Sequence, residues 1–392
     1  MQNQTLSKQL KVLVAPDSFK GSLSANAAAD FISQGLIRSL PHANVSRRPI
    51  ADGGEGTADV ILASVGGVRR WTQVTNGNGT SVSMPYADCE NQTFGRFAAF
   101  DVASVVGLAE AIVAPEMRTT VGVGQVLQAL YKQGFRTIVV GLGGSSTNDA
   151  GAGMLAEVGF DLFSSEGQRL SPTFANFSKV HSMVRRKDSD WLSEIKLVAL
   201  SDVTSPLCGM NGASHVFGPQ KGFKDLVNAD AVLANFGRLC ERTLGVEVME
   251  RPGAGAAGGL GFGLMLLGAI VLPGATFILE ACGLSESLSE YDWVITGEGK
   301  SDFQTLMGKG PFLLAELARD RGVPVTLLSG AIEDSAELEK VFDGCFSLMD
   351  KPASLDYAMK NAGPLLSAAS ANLARLYVAS QKILSSEKSD RT

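Results

Sequence analysis

The sequence predicts an α/β protein of two domains, one built from both chain ends and the other inserted between them. Three observations carry this expectation. Short apolar runs alternate with stretches of helical periodicity, the pattern of β-α units that feed a largely parallel sheet. The 392 residues exceed one ordinary core, at about 150 residues per domain. Between about residues 70 and 90 the alternation yields to shorter strand-like pieces with Asn-Gly turns, and it resumes near Asp292. The expected boundaries are 11–70 with 290–385 for the discontinuous domain and 71–289 for the inserted one.

Each element has its own local reason. KVLVAPD, ending at Asp17, reads as the first strand. Behind Ser24, a good N-cap residue, Ala28, Phe31, Ile32, Gly35, Leu36 and Leu40 recur at helical spacing. A second strand is expected at the end of NVSRRPIAD and a helix over TADVILASV. TNGNGT favours a hairpin turn. Further strands are expected in RFAAFDVA, RTIVVGLG, IKLVALSD, DWVITGEG, VPVTLLSG and CFSLMD. Helices are expected in GQVLQALYKQG, GAGMLAEVG, PFLLAELARDRG and the region from Asp356 to Leu384. Pro252 to Leu279 carries no charge, but it opens with glycines and is broken at Pro273-Gly274. Its uninterrupted apolar core, LGFGLMLLGAIVL, has only 13 residues, short of the ~20 a membrane span needs, so a buried helix is expected.

Composition narrows the function. With 45% hydrophobic residues, 19% charged residues and 44 glycines, the chain reads as a globular protein rich in tight turns. A net charge of −6, with Lys and Arg scattered in ones and twos, offers no basic stripe for nucleic acid. Five cysteines without a CxxC pair read as reduced thiols. The polar opening MQNQTLSKQLK has no apolar signal-peptide core, so a cytoplasmic protein with no membrane partner is expected. His42, His181 and His215 are isolated and no GxSxG motif occurs, which disfavours a serine hydrolase.

The chemistry gathers at strand ends. Asp17, Asp52, Asp202 and Glu298 each stand just past an apolar run, where open α/β sheets bind ligands. The loops that follow, SFKGS, GGEGT, VTSPLCG and GKSDFQTLMGKG, combine glycines with hydroxyls, and Lys20, Lys221, Lys300 and Lys309 supply positive charge nearby. A turn or helix cap explains any one of these loops equally well. All four together match the needs of phosphoryl transfer, with carboxylates for Mg²⁺, lysines for phosphate and glycines for backbone contact.

The stretch VVGLGGSSTNDAGAG supports two readings. Ser146 and Asp149 fit an S-x-x-D capping box at a helix start. Gly141, Gly143 and Gly144 exceed what capping needs, and helix-start N–H groups attract anions. Gly143, Gly144, Ser145, Ser146, Thr147, Asn148 and Asp149 are therefore candidate phosphate or nucleotide ligands. Asn148 and Asp149 could instead face Mg²⁺ or substrate, and Asp149 could simply cap the helix. No Walker A lysine follows. The stretch is also similar to the Gly-Leu-Gly-Ser-Ser loop of galactokinase-like small-molecule kinases, a second kinase alternative.

Six ordered stretches resemble the bacterial glycerate kinase family of the single-chain type. They are APDSFKGSLSA, ADGGEGT, GGSSTNDAGAGM, SDVTSPLCGMNGASHVFGPQKG, PGAGAAGGLG and GEGKSDFQTLMGKGP. The resemblance implies ATP-dependent phosphorylation of D-glycerate to 2-phosphoglycerate. It also implies a flavodoxin-like domain from both chain ends, an inserted α/β domain, and an active site in the cleft between them. On that basis Asp202 would orient or deprotonate the acceptor hydroxyl, with Lys20 and Lys221 neutralising carboxylate or phosphate. Asp17, Ser18, Asp52 and Glu55 would meet substrate, Asp52 and Asp302 would hold Mg²⁺, and Glu298 and Lys309 would serve the nucleotide. A homodimer is left open. The chain departs from the family pattern at 101–108, DVASVVGL for a typical E-M-A-x-A-S-G-L, and the loop that follows is short. At 119–126 it reads TTVGVGQV where a T-[ST]-[YR]-G-x-G-E-L is typical. These departures keep two alternatives open, a kinase of a related hydroxy acid and a non-catalytic sugar-acid sensor.

Overall fold

The computed structural model describes residues 9–389. The chain divides into two compact units, one formed by residues up to 51 together with those from 278 onward, the other by residues 52–277.

The first unit is built on a five-stranded parallel sheet. Its strands lie side by side as Asn44–Arg47, Lys11–Val14, Trp293–Thr296, Val325–Ser329 and Gly344–Ser347. Numbered along the chain, this is the 2-1-3-4-5 order of flavodoxin-like sheets, which bind ligands where the order reverses. Val12, Leu13 and Val14 are fully buried, as a parallel strand covered on both faces requires. Ser24 caps the helix Ala25–Ser39, its hydroxyl accepting the Ala27 N–H at 3.2 Å. That helix crosses the helix Ala362–Ser389 at Gly35, where a Cβ would stand 2.1 Å from Ser370 Oγ. Only glycine allows so close a crossing.

The second unit holds a six-stranded sheet in the order Ile270–Leu272, Lys196–Leu200, Thr137–Gly141, Gly95–Asp101, Ser81–Asn91, Val68–Thr75. The first four strands are parallel, and the last two add antiparallel partners at one edge. Phe100, Phe135, Ile138, Val140 and Phe262 belong to its core. A three-stranded antiparallel sheet of Phe160–Phe163, Arg169–Leu170 and Ser182–Arg185 lies beside it in sequence.

Several elements differ from expectation. Residues 52–70 group with the second unit, because the helix Thr57–Val65 packs on Ser81–Asn91 and Gly95–Asp101. Its start is held by Asp101, whose carboxylate accepts from Gly56 N–H at 3.0 Å and Ala58 N–H at 3.1 Å. Residues 278–289 group with the first unit. The strand expected at the end of NVSRRPIAD forms at its start, Asn44–Arg47, and Pro49 has no N–H to extend a ladder. The uncharged segment folds as the helix Ala256–Leu266, the strand Ile270–Leu272 and the helix Gly274–Ala281. Among the described residues no helix is long and apolar enough to cross a membrane.

Candidate active site

In the second unit the parallel strands end in loops that meet over one edge of the sheet. The loop 52–56 lies directly on them. A Cβ at Gly143 would stand 2.4 Å from Gly54 Cα, and one at Gly274 would stand 2.1 Å from Gly53 N. Backbone is thus stacked on backbone, which brings Asp52, Glu55, the 143–149 loop and Asp202 to the same end of the sheet. Asp202 is exposed and accepts the Gly274 N–H at 2.9 Å. Asp52 is half-buried and accepts the Gly54 N–H at 2.9 Å, while Glu55 is exposed.

The 143–149 loop is held from below. The Ser146 hydroxyl donates to the Val106 carbonyl at 2.8 Å, and its N–H reaches the same oxygen at 2.7 Å. The expected Ser146–Asp149 capping box does not form, since the helix starts later, at Ala152–Val158. Asp149 does serve that helix start. Its fully buried carboxylate accepts from Gly151 N–H at 3.1 Å, Gly153 N–H at 3.3 Å, Thr120 N–H at 2.9 Å and the Thr120 hydroxyl at 2.8 Å. Burial pushes its pKa up while these donors oppose the shift. Asp149 therefore acts as a cap, with both oxygens engaged. Gly144 is exposed and left-handed, φ +75°, so the loop changes hand there. Among the described residues the N–H groups of Gly144, Ser145 and Thr147 donate to no backbone carbonyl. Gly144 and Ser145 thus present two successive amides, the donor arrangement that backbone anion sites use. Thr147 Oγ1 and Asn148 Oδ1 are buried without a hydrogen-bond partner among the described residues, and Asn148 Nδ2 donates to Ser214 Oγ at 2.9 Å.

Lys221 ends the helix Ala213–Lys221, and its side chain runs under this loop. Its ammonium donates to the Thr147 carbonyl at 2.7 Å and to Ser145 Oγ at 3.1 Å, and the residue is 3% exposed. Burial pulls its pKa down to about 7, with Asp149 opposing and Arg118 adding to the fall. The sequence reading assigns Lys221 to direct charge neutralisation, but here its donors are spent on the loop itself. Gly258, from the glycine-rich PGAGAAGGLG, closes the packing, since a Cβ there would stand 1.9 Å from the Thr147 carbonyl oxygen. Arg118 escapes sequence reasoning because one arginine in PEMRTT resembles an ordinary solvated charge. It is nevertheless buried at 8% exposure. Two departures from the family pattern carry backbone contacts as well: Asp101 at the helix start above, and Gln125, whose side chain accepts the Thr75 N–H at 2.7 Å.

In the first unit the loops bearing Asp17 and Glu298 emerge at the reversal of strand order, where the Asp17 N–H donates to the Gly297 carbonyl at 2.8 Å. Asp17 is buried, the neighbouring Ser18 N–H donates to its carboxylate, and Lys20 is exposed. Glu298, 7% exposed, accepts from the Thr305 hydroxyl at 2.7 Å and Ser301 Oγ at 3.1 Å, with Lys309 Nζ 4.0 Å away. Burial raises its pKa against those contacts. Asp302 accepts the Gln304 N–H at 2.9 Å and lies 3.4 Å from Lys300 Nζ. Among the described residues no three His, Cys, Asp or Glu side chains gather as a metal cage.

Parallel α/β sheets whose carboxyl edges carry a glycine-hydroxyl loop, carboxylates and lysines hold the residue types that phosphoryl transfer by a small-molecule kinase uses. The glycerate kinase family model matches residues 12–378. The chain is 37% identical over 373 residues to the glycerate kinase of Halalkalibacterium halodurans, covering 93% of this chain and 97% of that protein. It is 34% identical over 374 residues to the glycerate 2-kinase of Escherichia coli K12, covering 93% and 97%. A crystal structure from Salmonella typhimurium LT2 that carries the name glycerate kinase 2 superimposes with a TM-score of 0.82 at 33% identity, covering 95% of this chain and 100% of that one. The chain belongs to the glycerate kinase family and is a kinase.

Proposed function

We propose that this kinase transfers the γ-phosphoryl group of ATP to the 2-hydroxyl of D-glycerate, giving 2-phosphoglycerate and ADP. The observation that carries the reading is the 143–147 loop, with its amides of Gly144, Ser145 and Thr147 and the Lys221 ammonium close behind. A positive charge under a nest of amides suits a phosphate group. Asp202, exposed and accepting the Gly274 N–H, takes the proton of the acceptor hydroxyl as that oxygen bonds to phosphorus and ADP departs. Asp52 and Glu55 meet the substrate hydroxyls from the neighbouring loop. Lys221 holds the loop in shape and contributes its charge from beneath. The first unit carries its own polar groups at its strand ends, Asp17, Ser18, Lys20 and Lys309, with Glu298 4.0 Å from Lys309.

Mg²⁺, when bound, would supply neutralisation of the charge on the ATP phosphates. Asp52 in the second unit and Asp302 in the first would each offer the hard carboxylate oxygens that Mg²⁺ takes alongside phosphate and water. The name of the Escherichia coli relative, glycerate 2-kinase, supports the 2-hydroxyl as acceptor. Gln125, one of the two departures that argue for a related hydroxy acid, spends its side chain on the Thr75 N–H, while Val121, the other, keeps that alternative in the substrate panel. An ADP-release assay over a panel of hydroxy acids tests the reading. Release with D-glycerate above the rest is expected, and release with another acid alone overturns the substrate.

A further inference from the structure

Behind the phosphate loop one guanidinium ties three backbone segments together. Arg118 Nε donates to the Val113 carbonyl at 3.0 Å, and Nη1 donates to the Lys221 carbonyl at 2.9 Å and the Ser146 carbonyl at 3.2 Å. All three acceptors are neutral, so a buried cation is kept without carboxylate compensation in these bonds, and burial lowers its pKa. Two of the acceptors belong to the groups that form the loop. Ser146 is in the loop itself, and the other end of Lys221 returns to Thr147 and Ser145. Two residues along, Thr120 is fastened to Asp149 by its N–H and its hydroxyl. The 118–120 segment thus clamps the loop at Ser146 and again at Asp149.

We propose that Arg118 is a positioning residue for phosphoryl transfer. It fixes Ser146 and Lys221 relative to one another so that the 143–147 amides and the Lys221 ammonium face one anion. It does not touch the phosphate. The inference rests on the reading that this loop holds phosphate. It also explains why arginine is required, because a planar guanidinium serves Nε and Nη1 acceptors at once, whereas a lysine ammonium at this depth cannot span the same carbonyls.

The test is steady-state kinetics of wild-type, Arg118→Lys and Arg118→Ala enzymes with ATP and D-glycerate, each with a melting temperature and with added guanidinium chloride at non-denaturing concentration. For Arg118→Lys we expect kcat/KM for ATP to fall at least tenfold while KM for D-glycerate moves less than threefold. For Arg118→Ala we expect a larger loss, partly recovered by guanidinium, which does not recover Lys221→Met. A folded Arg118→Lys enzyme with wild-type kcat/KM for ATP overturns the inference. So do equal losses for both substrates without guanidinium recovery, which mark a purely structural role. If Arg118→Ala does not fold, Arg118→Lys decides alone. A wild-type enzyme inactive on D-glycerate overturns the functional reading instead, so the two failures are distinguishable.

Discussion

Replacing Lys221 by Met removes a buried charge while nearly preserving its length, and the consequence for stability can be worked out in advance. The ordinary lysine value of 10.5 falls to about 7 in the folded chain, chiefly through burial. A lysine with a lowered folded pKa binds fewer protons when folded than when unfolded between pH 7 and 10.5, so its contribution makes stability rise with pH across that window. The buried ammonium costs about 5 kcal/mol below pH 7, at about 1.4 kcal/mol per pH unit. Between pH 7 and pH 9 about 2 kcal/mol of that cost is relieved. Loss of the hydrogen bonds to Ser145 and Thr147 also shifts the variant's absolute stability, so the comparison reads the change with pH. Urea denaturation of both proteins at pH 7, 8 and 9 should therefore show wild-type stability gaining about 2 kcal/mol on Lys221→Met over this range. Parallel pH dependences would refute the reasoning, because they require Lys221 to titrate alike in the folded and unfolded chains.

Other consequences follow from the same loops. Asp202→Asn keeps the acceptor for the Gly274 N–H and should lower kcat by about a hundredfold or more in a folded enzyme; near wild-type turnover would remove Asp202 as the base. Gly258→Ala should destabilise the chain by about 3 kcal/mol or more, because the new methyl collides with the Thr147 carbonyl and φ is +68°. Gly308→Ala, at φ +95° with open space around it, should cost only about 1–2 kcal/mol, and equal melting temperatures for the two variants would contradict the packing argument. Chelation by EDTA should abolish ADP release and excess Mg²⁺ should restore it, whereas full activity in EDTA would contradict the Mg²⁺ assignment.

What could be read from the chain was local. Ser24 caps its helix as its type predicts, TADVILASV forms Thr57–Val65, and Asp17, Asp202 and Glu298 stand just past strands Lys11–Val14, Lys196–Leu200 and Trp293–Thr296. Periodicity reports that a face is buried without naming its partner. For that reason the attachment of the helix Thr57–Val65 to the second unit had no signal in the pattern, since it depends on Asp101 reaching Gly56 and Ala58 from 43–45 residues away. Side-chain direction was equally hidden. Lys221 and Asp149 have the charges expected near phosphate, yet one points under the loop and the other into a helix start. Arg118 offered no contrast with surface arginines, because burial is set by segments 28 and 103 residues distant.

The central claim is that the chain phosphorylates the 2-hydroxyl of D-glycerate, and phosphorus NMR of the product made from ATP, Mg²⁺ and D-glycerate tests it most directly. The account predicts a single new phosphomonoester, 2-phosphoglycerate, formed in step with ADP. A product phosphorylated at the 3-hydroxyl, or ADP formed with no glycerate ester, would contradict it.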